Sequence, residues 1–61
     1  MKEYSATLTY YDSSVSRTLV IHINAFNIND AFINAASKFY ALFAGTDKAI
    51  YSLDIVEVSN V

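Results

Sequence analysis

One stretch, residues 27–45 (NINDAFINAASKFYALFAG), constrains the chain more than any other, because its apolar residues recur with the period of a helix. At about 100° per residue, Ile28, Ala31, Phe32, Ala35, Phe39, Leu42 and Phe43 fall within an arc of about 120°, the width of a stripe that packs on a core. Ser37, Asp30, Ala41, Asn34 and Lys38 take the far side. The ends agree with the middle. Asn27 is placed to cap the first turn, and Asp30 puts an acid where free N–H groups and the helix dipole favour it. Gly45, the only glycine in the chain, follows the last apolar residue, where a left-handed C-terminal cap selects glycine. The pattern predicts one helix over about 28–44.

A second apolar strip, Ala36, Tyr40, Ile33 and Ala44, lies about 80–160° from Ile28 on the same wheel. Either a small sheet wraps far enough to cover part of it, or Ile33 and Tyr40 are exposed and meet a partner.

The flanks of the helix read as strands. In residues 4–11, Tyr4, Ala6, Leu8 and Tyr10 alternate with Ser5, Thr7 and Thr9. Asp12-Ser13-Ser14 marks a turn. It lacks Asn-Gly or Asp-Gly, so a looser loop of about three to five residues is expected. In residues 16–25, Leu19, Ile21, Ile23 and Ala25 point one way, and Thr18, Val20, His22 and Asn24 the other. Phe26 leads straight into the helix cap. In residues 49–58, Tyr51, Leu53 and Ile55 alternate against Ser52 and Asp54. The phase then blurs at Ile55, Val56 and Val58, which predicts burial on both faces at that end, with a bulge as the alternative. Residues 59–61 are expected to fray.

These elements form a single α+β domain over residues 1–61, of ββαβ order. A three-stranded, mainly antiparallel sheet in the order 2-1-3 is preferred, with 1-2-3 as the alternative. One helix on three strands leaves the other sheet face uncovered. That face carries Thr7, Thr9, Thr18, Val20, His22, Asn24, Ser52 and Asp54, with Val56 and Tyr11 at its margins. It is either a solvated face or a docking surface.

Size makes the composition informative. A chain of 61 residues buries only about 60% of its unfolded surface. It has no cysteine to form a disulfide, and a single histidine gives no zinc set. Stability must come from packing, self-association or both. With 54% hydrophobic and 16% charged residues, there is little polar material to cover a small sphere, which favours an oligomer. The net charge of −2, with Lys2, Arg17, Lys38 and Lys48 scattered, builds no basic patch for a phosphate backbone. The N-terminus lacks the apolar core of a signal peptide, and no apolar run reaches a membrane span. The expectation is a soluble cytoplasmic protein with no membrane partner.

Catalytic inventory is thin. His22 is the one side chain that ordinarily titrates near neutrality. It meets Asp54 only in the 1-2-3 order, and a serine nucleophile would still need an oxyanion hole. No carboxylate pair suits glycosidase chemistry, and one glycine cannot build a phosphate loop. The chain reads as no enzyme, with no cofactor and no metal. Five tyrosines and four phenylalanines suggest base stacking. Yet Phe26, Phe32, Phe39 and Phe43 belong in or beside the core, and Tyr4, Tyr10 and Tyr51 share the core-facing phase. Only Tyr11 and Tyr40 remain.

A hairpin followed at once by a helix opening N-x-x-D-A-x-x-x-A, then a final strand, resembles small phage-encoded proteins. Residues 27–35, NINDAFINA, are similar to the helix start of short phage early proteins that bind and inhibit bacterial RNA polymerase. The resemblance implies a compact module that occupies a surface on another macromolecule, in the host cytoplasm if phage-encoded. It carries over no contact residue, because the basic residues such a site would use are missing. The reading is a non-enzymatic protein-binding module, a homodimer or larger homo-oligomer, modulating or inhibiting a host or viral protein. Self-association would extend the sheet through the second or third strand, or bury the Ile33/Ala36/Tyr40 flank. Contact candidates are Ile33, Tyr40, Tyr11, Val20, His22 and Val56. The alternative is a nucleic-acid-associated protein whose binding surface forms only on oligomerisation.

Overall fold

The computed structural model describes residues 1–58; the expected fraying of residues 59–61 lies outside them. Strand β1 spans Lys2–Asp12, β2 Val15–Ala25, helix α1 Ile28–Leu42 and β3 Ile50–Glu57. The sheet order is β2-β1-β3, and β1 is antiparallel to both neighbours. It is the expected ββαβ fold with the helix on one sheet face.

The start of the helix follows from Asn27. Its backbone is extended (φ −154°, ψ 176°), and its side-chain Oδ1 accepts the Asp30 N–H at 2.9 Å. At the other end the last helical residue is Leu42, two short of the expected 44. The Phe43 carbonyl accepts both the Thr46 N–H (3.1 Å) and the Thr46 hydroxyl (2.6 Å). Gly45, inside this turn, adopts φ +79°, a left-handed conformation in which an L side chain is strained.

The hairpin is tighter than its sequence suggests. Asp12 pairs with Val15, so only Ser13 and Ser14 form the loop, with φ of 52° and 68°. Two consecutive positive φ values are the signature of a type I′ turn, whose twist matches the strands. The loose loop expected from the missing Asn-Gly is therefore corrected: eleven continuous β1–β2 pairs hold two serines in a region they ordinarily avoid. Replacing Ser13→Asn and Ser14→Gly is expected to stabilise the chain by about 1 kcal/mol, raising Tm by about 4–8 °C in a thermal melt.

Strand β3 is corrected at both ends. Ile55, Val56 and Glu57 pair in unbroken register with Ala6, Ser5 and Tyr4. The apolar run there is one residue facing the helix and one, Val56, facing outward, so that end is neither buried on both faces nor bulged. The irregularity lies at the start. Thr9 pairs with Ser52 but Tyr10 with Ile50, leaving Tyr51 as the extra residue. Ile50 takes the place opposite Tyr10, and Tyr51 turns out of the core phase to 70% exposure.

The core consists of Tyr4, Ala6, Leu8, Ile23, Ala25, Ala31, Ala35 and Phe39. Half of these are alanines. Along the helix the buried line is Ala31, Ala35 and Phe39, which is narrower than the expected stripe. Ile28, Phe32 and Leu42, placed on the core side by period, are exposed. Sheet width explains this. Three strands span only about 10 Å between their outer axes, about the diameter of one helix. Such a sheet covers the helix's line of contact and leaves its flanks bare. At one end the core closes on an aromatic triangle, with Tyr10–Phe39, Tyr10–Phe43 and Phe39–Phe43 ring centroids 5.4, 4.8 and 4.8 Å apart.

Candidate interaction surfaces

The six candidate residues are all exposed, but they lie on two opposite sides of the molecule. Ile33 and Tyr40 project from the helix away from the sheet, at 61% and 51% exposure. Tyr40 is steadied by an edge-on contact with the Phe39 ring at 5.2 Å. Ile33 borders a shallow cleft with Met1, Asn24, Ala25, Phe26, Asp30 and Asn34.

Tyr11, Val20, His22 and Val56 belong to the bare face of the sheet. Here His22 and Val56 both oppose Ser5, so His22-Ser5-Val56 is one row across the three strands. Val20-Thr7-Asp54 is the next row. Tyr11 stands at the hairpin end, about 13 Å along β1 from Thr7. Its ring meets Tyr51 edge-on at 5.2 Å, interplanar angle 81°.

In this topology His22 and Asp54 sit on opposite edge strands with β1 between them, about 10 Å apart across the sheet. The two share no row: His22 stands beside Ser5 and Val56, Asp54 beside Thr7 and Val20. Lys2 lies 3.6 Å from Glu57, and Lys48 lies 3.5 Å from Asp12. Two of the four basic side chains thus have acids beside them. Among the described residues no three His, Cys, Asp or Glu side chains cluster as metal ligands would.

Period alone misses several members of these surfaces. Tyr51 joins Tyr11 because of the bulge. Phe26, Ile28, Phe32 and Leu42 join the helix side because the sheet is too narrow to reach them. Phe26, assigned to the core or its margin, is 70% exposed. The signal that could have located them is arithmetic of width: three strands cannot shelter seven apolar residues of one helix.

The fold thus defines a small ββαβ module with one bare sheet face and a helix whose apolar flanks are exposed. The chain matches no protein-family model, no curated protein and no solved structure. Among the described residues no helix is long and apolar enough to cross a membrane.

Proposed function

We propose that this chain is a non-enzymatic protein-binding module that self-associates and acts by covering a surface of another protein. In its phage-modulator form, suggested by the helix opening at residues 27–35, that protein is a host or viral one in the cytoplasm. One observation carries the reading. Among the described residues, four of the eight that are buried are alanines, whereas twelve large apolar side chains are exposed, among them Phe26, Ile28, Phe32, Ile33, Leu42 and Val56. A lone soluble domain puts its bulky apolar residues inside and its small ones wherever they fit. Apolar surface on this scale, shared between the flanks of the helix and the bare face of the sheet, belongs to a molecule that meets another.

Shape supports the same reading. The accessible surface is 4261 Å², against about 4,000 Å² for a folded monomer of this mass. The radius of gyration is 12.1 Å, against about 10.5 Å for a compact chain of this length. The excess surface is a thin, elongated plate whose broad sides are available for contact.

The test compares two baits. Ile33→Glu changes an exposed position and is expected to shift stability by no more than about 0.5 kcal/mol, while Tyr40→Glu, which loses the Phe39 ring contact, is expected to cost about 0.5–1.5 kcal/mol, so folding is checked by far-UV circular dichroism. The variant is expected to keep the wild-type oligomeric mass and to lose the proteins that wild type retains from a host-cell extract. Equal retention by both baits would remove the helix surface from the proposal. Light scattering across a dilution series tests the self-association part separately.

A further inference from the structure

We infer that two copies of this chain join through the free edge of β2, running antiparallel about a two-fold axis through Val20 to make one continuous six-stranded sheet. The inference rests on the self-association proposed above and names the surface that carries it.

The two edges of the sheet are not alike. The β3 edge has eight residues, a bulge at Tyr51, and the acids Asp54 and Glu57. Short length, a bulge and charge are the devices by which edge strands avoid unwanted pairing. Two copies meeting through β3 about an axis at Asp54 would also set the two Asp54 carboxylates directly opposite each other.

The β2 edge has none of these protections. It runs eleven residues, Val15–Ala25, in unbroken register with β1, contains no proline, and carries one charged residue, Arg17, near its end. A two-residue hairpin is closed by bonds between the residues flanking it, Asp12 and Val15. Backbone direction alternates from there, so Ser16, Thr18, Val20, His22 and Asn24 turn their N–H and C=O groups away from β1. Those are five consecutive sites of unused pairing capacity.

The strand also complements itself. Pairing residue i with residue 40 − i is the one antiparallel register that uses the strand from end to end. It keeps every side chain on its own face. Leu19 would meet Ile21 on the helix side, where both are only half-buried in the single chain. Thr18 would meet His22, and Val20 its own counterpart, on the bare face. No acid faces an acid, and the two Arg17 side chains are far apart. The seam is about 37 Å long and about 10 Å deep with its side chains, so strands alone remove some 700–800 Å² from water. That is below the roughly 1,200 Å² of a standard stable interface, so the dimer is expected to separate on dilution in the micromolar range.

Charge at position 20 tests the seam. Val20 is 54% exposed, so Val20→Lys and Val20→Glu should each fold, as far-UV circular dichroism will show. At high concentration wild type is expected at twice the single-chain mass by light scattering, and each variant at the single-chain mass. An equimolar mixture of the two variants is expected to recover the doubled mass. Amide exchange at Thr18, Val20 and His22 should fall to about a tenth where nine chains in ten are paired. Wild type that stays single at every concentration would overturn self-association, and this seam with it. A doubled mass in either variant alone, a mixture that stays single, or protection on β3 in place of β2 would overturn the seam and leave self-association standing.

Discussion

Replacing Phe39 by alanine is expected to remove at least about a third, and up to all, of the chain's stability. Phe39 is fully buried and, with Leu8, is one of the two largest side chains wholly shielded from water. Its ring touches Tyr10, Tyr40 and Phe43. Truncating a buried phenylalanine costs about 3–5 kcal/mol, from lost burial and the cavity left behind. A chain of 61 residues has about 3–9 kcal/mol in total at the usual stability per residue. The alanines along the helix's buried line have no bulk to fill the gap, so only Tyr10, Tyr40 and Phe43 could move into it. Urea melts followed by far-UV circular dichroism should show a midpoint far below that of wild type in Phe39→Ala, or no cooperative transition. Phe39→Leu, which retains most of the volume, should lose about 1.5 kcal/mol or less and keep its transition. A normal melt for the alanine variant would mean that stability comes mainly from contacts between chains.

Which parts of this were legible in the sequence depends on the range of the physics involved. The helix, the Asn27 cap and the strand order 2-1-3 come from local period, capping chemistry and short connections, and all are present. The Ser13-Ser14 turn was not legible, because neither serine prefers a positive φ; the continuous register on both sides imposes it. Tyr51 was not legible either. A bulge is a compromise between two strands, and alternation within one strand cannot reveal it. Ile28, Phe32 and Leu42 show a third limit. Periodicity says which direction a side chain points from the helix axis, but not whether anything waits there. The pattern places Ile33 and Tyr40 on the helix and Tyr11, Val20, His22 and Val56 on the uncovered sheet face, and the assembled topology keeps them on those two sides and adds the rows that Val20, His22 and Val56 form across the strands. That separation matters for the proposal, since copies joined edge to edge through β2 would leave the helix side free to meet a different protein.

Enlarging the alanines under the helix should have the opposite physical cause and a comparably severe effect. Ala31 and Ala35 are fully buried where the helix crosses the sheet, beside Ala6 and Ala25. Small residues there let the helix lie close to a narrow sheet, so that Phe39 reaches the aromatic end of the core. Ala31→Leu and Ala35→Leu each add three carbons to a site with no exposed surface to receive them. Each is expected to cost about 1–3 kcal/mol, and the pair together a large part of the chain's stability. Leucine and alanine differ little in helix propensity, so the loss reports packing and not helix formation. Ala41→Leu, on the exposed side of the same helix, supplies the control and should change stability by no more than about 0.5 kcal/mol. Thermal melts of the three single variants then separate two explanations of the apolar surplus. If the buried pair is costly and position 41 is neutral, the helix is held at a fixed close distance, and its large outer side chains are outside because the core has no room for them. If Ala35→Leu is harmless, the helix can lift, and Phe32 and Leu42 are free to turn inward and fill the space.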